Sequence, residues 1–251
     1  MKEKLQKIRE SIDSVDNKII ELLEERMGYV KQVAELKADN PNISYIRADR
    51  EVDMLKKLLD IESNLPPQII IQIWRLIISM SLQEERSFSI IANCEEAKQE
   101  YLKRLVREYF SSLTNVEFVS DFTKPELIQD LIACQSADAK QYEFLLRNKG
   151  YKIFTRLPDL NNEREIFELS DVHVIAAISE EVISFDRAII AVLEGKLDAG
   201  SDVRQVVKEI EVQGRKYGIY DVAKTDFFEL KESQADSLII EFLGGYVESF
   251  T

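Results

Sequence analysis

Residues 4–38 read KLQKIRESIDSVDNKIIELLEERMGYVKQVAELKA. Leu5, Ile8, Ile12, Val15, Ile19, Leu22, Val33 and Leu36 fall on a seam of alternating three- and four-residue steps, the spacing of one helical face that packs against another helix. Gly28 is the one Gly or Pro in the stretch. The pattern predicts a single helix. About 35 residues of helix measure about 52 Å, beyond the diameter expected of a globule of that part of the chain. Such a seam needs a partner, and an intertwined homodimer is expected.

Working outward, Asn40-Pro41-Asn42 stops the first helix. A second helix is predicted from about Ala48 to Ile61, with Val52, Leu55, Leu58 and Leu59 as its apolar stripe. Ser63-Asn64-Leu65-Pro66-Pro67 ends it, and proline suits the first turn of the next. A third helix is predicted from Pro67 to Arg86. It is apolar nearly all round and so should be buried in a helical assembly.

After Arg86 the pattern changes to short apolar runs: Phe88–Ala92, Val116–Val119, Tyr151–Phe154, Val172–Ile178, Ala188–Leu193, Tyr217–Val222 and Leu238–Leu243. Between them, helices are expected at Glu95–Leu113, Lys124–Cys134 and Val203–Ile210. The fold class is therefore α + α/β. A three-helix domain over residues 1–86 precedes an α/β domain over residues 88–251.

Charge divides the chain in the same place. Residues 1–86 carry 14 Lys/Arg against 16 Asp/Glu, a net of −2, and the rest carry 19 against 30, a net of −11. An acidic second part disfavours nucleic acid as a partner. The opening Met-Lys-Glu-Lys has no apolar stretch like a signal peptide, and Ile69–Leu82 is too short and too interrupted to span a bilayer. A cytoplasmic protein without a membrane partner is expected. Cys94 and Cys134 lack zinc or redox spacing and read as buried free thiols. His173, the chain's one histidine, reads as a core or strand-edge residue. Neither a metal nor a cofactor is implied.

The informative residues are the polar ones that break the apolar pattern. Position 26 belongs to the seam, and it is Arg26. A seam arginine needs a partner, whether an inter-chain ion pair or an anion. Lys37 lies three turns on, on nearly the same face and about 16 Å away, so the two side chains could hold a small dianion between them. Arg9 is about 25 Å from Arg26 along the rod. It cannot reach that pocket in its own chain but could in an antiparallel partner. The second helix adds Arg50 and Glu51. Ser81 and Glu85 share a face of the third at a spacing of four, unless Glu85 belongs to a solvated helix end.

The ordered set Leu5-Gln6-Lys7-Ile8-Arg9-Glu10-Ser11-Ile12-Asp13, Leu22-Leu23-Glu24-Glu25-Arg26, Val33-Ala34-Glu35-Leu36-Lys37, Asp49-Arg50-Glu51 and Ile77-Ile78-Ser79-Met80-Ser81-Leu82-Gln83-Glu84-Glu85 resembles the helical chorismate mutases. The resemblance covers about a third of the chain. It implies an isomerase that converts chorismate to prephenate in aromatic amino acid biosynthesis, a domain-swapped homodimer and two shared sites. In this reading Arg26 and the partner's Arg9 grip the two carboxylates. Lys37 holds the ether oxygen of the breaking bond, Arg50 lies near the pyruvyl carboxylate, Glu51 accepts from the ring hydroxyl, and Ser81 bonds on the carboxylate side. Lys37, Glu85 and Arg26 would carry catalysis. Many members have Gln where this chain has Glu85. A carboxylate repels the ether oxygen and a carboxylic acid donates to it, so activity is expected to fall as pH rises, with relief in Glu85→Gln. Arg47 and Asp49 stay outside the expected site.

The second domain resembles a degenerate prephenate dehydratase domain, which implies a periplasmic-binding-protein-like architecture, expected here to be non-catalytic. Thr155-Arg156-Leu157 is close in letters to the dehydratase signature Thr-Arg-Phe but falls too early, and no G-x-G-x-x-G turn supports a dehydrogenase. Three alternatives stay open: a bifunctional mutase–dehydratase, an isochorismate pyruvate lyase on the same scaffold, and a non-enzymatic dimerisation module carrying a ligand-binding domain.

Overall fold

A computed structural model describes residues 1–39, 48–85, 87–110, 112, 114–120, 122, 131–135, 138–157, 173–178, 185–194, 197, 202–232 and 239–246. The Asn40-Pro41-Asn42 stop and Arg47 lie outside them, as do the side chains of Asp49 and His173.

Three helices come first. Helix α1 spans Lys2–Ala38, two residues longer than expected at its start. Lys37 stands in its last turn, where a cation suits the helix dipole. Helix α2 spans Ala48–Leu59 and α3 spans Pro67–Glu85. The Pro66 carbonyl accepts from the Ile69 amide at 3.0 Å, starting α3 where the proline pair predicts.

Beyond them lie strands β1 (Ser89–Ala92), β2 (Asn115–Phe118), β3 (Leu131–Gln135), β4 (Tyr151–Leu157), β5 (His173–Ile178), β6 (Arg187–Leu193), β7 (Val203–Val212), β8 (Arg215–Ala223) and β9 (Ile239–Tyr246). Helices α4 (Glu96–Phe110), α5 (Ala139–Arg147) and α6 (Lys224–Glu232) accompany them. The strands form one mixed sheet in the order β2-β1-β3-β5-β4-β9-β6-β8-β7. Alternation along β1 and β3 sorts side chains to two layers. Ile90, Ala92, Leu131 and Ala133 pack with Leu102, Leu105, Val106 and Phe110 of α4. Ile91, Ile132 and Cys134 face Tyr142 and Leu145 of α5. Ile78 and Leu82 of α3 belong to the α4 layer, so the third helix is continuous with the core of the sheet domain.

Two stretches expected to be helical meet strands. Residues 131–134 of the expected helix Lys124–Cys134 belong to the central strand Leu131–Gln135, buried on both faces, where the apolar run is unbroken and carries no period; residues 124–130 lie outside the described residues. Val203–Ile210 is β7. Its apolar residues 203, 206, 207 and 210 mimic a helical face because the β7–β8 register shifts twice, between Gln205 and Val207 and between Val207 and Ile210. Each bulge resets the alternation. The missed signal was Gln213-Gly214. Both have positive φ, 52° and 76°, and they close a two-residue hairpin between Val212 and Arg215.

The sheet narrows where β4 meets β9, which pair in parallel through Ile153 and Gly244. A Cβ on Gly244 would lie 2.3 Å from the Ile153 backbone, and its φ is +127°. Glycine is therefore required at that crossing.

A polar network is buried nearby. Arg187 donates to Asp221 at 2.7 Å and to the Asp202 carboxylate at 2.8 Å, and the Tyr246 hydroxyl donates to Asp221 at 2.7 Å. Burial works against the Arg187 charge, but the carboxylates outweigh it and its pKa rises. Asp221→Ala would take the buried carboxylate from Arg187, leaving it the exposed Asp202, and is expected to cost about 3–5 kcal/mol, read as a lower urea midpoint. Cys134 is buried and burial pushes its thiol pKa up, whereas Cys94, expected to be buried, is half-buried. Both cysteines are free.

Candidate active site

Helix α1 presents Arg26, Val30, Val33 and Lys37 at steps of four, three and four residues, one continuous face. Helix α2 presents Arg50, Glu51 and Met54, and α3 presents Ile78, Ser81, Leu82 and Glu85. With Tyr29, these residues line one cavity of about 220 Å³ between the three helices. Six of the seven expected substrate-binding residues, Arg26, Lys37, Arg50, Glu51, Ser81 and Glu85, are thus brought together. Arg9 lies on the exposed N-terminal half of the same rod and does not line this cavity.

The cavity wall is apolar where it can be and paired where it is charged. Lys37 Nζ donates to Glu85 Oε2 at 2.6 Å, and both side chains are nearly buried, at 11% and 12% exposure. Glu85 is therefore not a solvated helix end. Arg26 Nη1 donates to Ser81 Oγ, and that hydroxyl donates to the Ile77 carbonyl at 2.7 Å. Ser81 is itself buried. Burial lowers the pKa of Arg26, the nearby Arg50 guanidinium lowers it further, and Glu85 acts the other way. A guanidinium so disfavoured in a partly dry site is relieved by an anion. Three cations against two carboxylates leave the lining at a formal net of +1.

Sequence reasoning missed Tyr29, Val30, Val33, Met54, Ile78 and Leu82 as lining residues. A step of three or four residues from Arg26, Lys37, Arg50, Ser81 or Glu85 would have found them. Among the described residues, no group of three His, Cys, Asp or Glu side chains is placed to hold a metal ion. No described helix is long and apolar enough to cross a membrane.

The family model for chorismate mutase type II matches residues 8–86. The chain is 40% identical over 81 residues to a chorismate mutase of Methanocaldococcus jannaschii, a match covering 31% of this chain and 80% of that protein. It is 29% identical over 93 residues to a bifunctional chorismate mutase/prephenate dehydratase of Aquifex aeolicus, covering 35% of this chain and 25% of that protein. No solved structure matched at a significant level.

Proposed function

This chain belongs to the chorismate mutase type II family, and we propose that its cavity converts chorismate to prephenate by an intramolecular [3,3] rearrangement. The chain spans a quarter of the length of the Aquifex relative, so the activity of the whole protein is inferred from its site. The carrying observation is the convergence of Arg26, Lys37 and Arg50 with Glu51, Ser81 and Glu85 in one cavity.

The reaction breaks one C–O bond and forms one C–C bond within a single molecule. The protein has to hold the enolpyruvyl group over the ring and stabilise the negative charge that gathers on the ether oxygen. Arg26 holds one carboxylate, with Ser81 keeping the guanidinium in place, and Arg50 approaches the pyruvyl carboxylate. Glu51 accepts from the ring hydroxyl. Lys37 leaves Glu85 to meet the ether oxygen.

The other carboxylate is assigned to the partner's Arg9, which raises the charge around the dianion from +1 to +2. An intertwined homodimer is supported by the apolar surface that a single chain leaves uncovered. Leu5, Ile8, Ile12, Val15, Ile19 and Leu22 are each at least 49% exposed. Ile69, Ile73, Leu76 and Met80 make an exposed stripe on α3, the face by which the apolar third helix would be buried. Contiguous apolar surface of that kind marks an interface.

The second domain, residues 88–251, is read as prephenate dehydratase-like, periplasmic-binding-protein-like and non-catalytic. The narrowing of the sheet at Ile153–Gly244, with β2-β1-β3-β5-β4 on one side and β9-β6-β8-β7 on the other, supports two halves. The bifunctional Aquifex relative favours a second reading, a live mutase–dehydratase. Purified full-length protein given chorismate should form prephenate and stop there. Phenylpyruvate would establish the second reading. Turnover of isochorismate but not chorismate would overturn the first.

A further inference from the structure

Helix α3 carries two polar stripes on opposite faces. Ser81 and Glu85, four residues apart, form one and face the cavity. Arg75, Ser79 and Gln83 follow at the same step, rotated by about 200°. The second stripe meets the C-terminal end of α4 in the sheet domain. Carbonyls in a last helical turn lack intrahelical donors. Ser79 Oγ donates to the Tyr109 carbonyl at 3.2 Å. Thr114 Oγ1 donates to the Phe110 carbonyl at 3.2 Å, and Gln83 Nε2 donates to that hydroxyl at 3.4 Å. The Arg75 guanidinium lies 4.3 Å from the Tyr109 ring centroid, a cation at the negative end of the α4 dipole. Ser79 is 2% exposed and Thr114 is 5% exposed. One helix therefore caps another across the junction, beside the shared apolar layer of Ile78, Leu82, Leu105 and Phe110.

We propose that the sheet domain is a structural part of the mutase site: through Arg75, Ser79, Gln83 and the end of α4 it fixes the rotation and height of α3, and so positions Ser81 and Glu85 against the substrate. This rests on the mutase reading. Arg75, Ser79 and Gln83 are positioning residues that touch no reacting atom. A helix that loses this contact would turn or slide, and a shift of about 1 Å at reacting groups can cost on the order of a hundredfold in rate.

The test uses the full chain with Arg75→Leu, Ser79→Ala and Gln83→Leu combined. The chain's one tryptophan, Trp74, lies on α3 beside the stripe, so its emission reports the helix's surroundings. Expected are a shifted Trp74 emission, an unchanged far-ultraviolet dichroism spectrum, and kcat for chorismate lowered about tenfold or more with KM within about threefold. Arg75→Lys, which keeps the cation, should retain wild-type kcat. Phe227→Leu, in the apolar cluster around β6, β8 and α6, controls for lost stability and should leave kcat unchanged. Wild-type kcat in the triple variant overturns the proposal. An inactive wild-type protein overturns the mutase reading and this proposal with it, so the two failures fall in different arms.

Discussion

Lys37→Ala is expected to lower kcat/KM for chorismate by about a hundred- to a thousandfold, the usual cost of removing one donor from a preorganised, partly dry site. Lys37 is 9% exposed and sits 2.6 Å from Glu85. In the free protein the two groups answer each other. In the proposed reaction the ammonium turns to the ether oxygen on substrate binding, where charge collects as the C–O bond breaks. A simpler account would blame the loss on a stranded carboxylate at position 85. Lys37→Ala combined with Glu85→Gln separates the two. The double variant should remain inactive, because the missing cation is the cause. Glu85→Gln alone should stay active. Steady-state rates with chorismate check both, and recovery in the double variant would count against a direct role for Lys37.

The second large effect concerns the seam. Ile12→Asp with Ile19→Asp places two carboxylates on the exposed apolar face of α1. Burying either against a partner helix would strand a charge, and each lost isoleucine removes roughly 1.5–3 kcal/mol of burial. Sedimentation should show monomers in place of dimers. Activity should fall by about a hundredfold or more, since each cavity loses the partner's Arg9. Neither residue lines the cavity, so a monomer with full activity would refute the shared site.

Much of this was legible in the chain because helices declare themselves by spacing. The α1 seam runs through Arg26, and the misfit of a cation among Leu22, Val33 and Leu36 pointed to the site before any geometry was known. Ser81 and Glu85 stood out on α3 for the same reason. The sheet was less legible. Leu131–Gln135 is apolar without a period because both its faces are buried, and two bulges gave β7 the spacing of a helix. The capping of α4 by Ser79 and Gln83 could not be read at all. A serine on an apolar helix shows no sign of which carbonyl, 30 residues on, it will meet.

The account turns on two chains building one site, and subunit complementation measures that directly. Arg9→Ala and Arg26→Ala proteins should each be nearly inactive as homodimers. Co-refolded in equal amounts, half of the dimers are mixed, and each mixed dimer holds one pocket with its own Arg26 and the partner's Arg9. Prephenate formation should return to about a quarter of the wild-type rate. No recovery from a mixture that sedimentation shows to contain mixed dimers would mean that Arg9 does not serve the partner's cavity, and the shared site would be wrong.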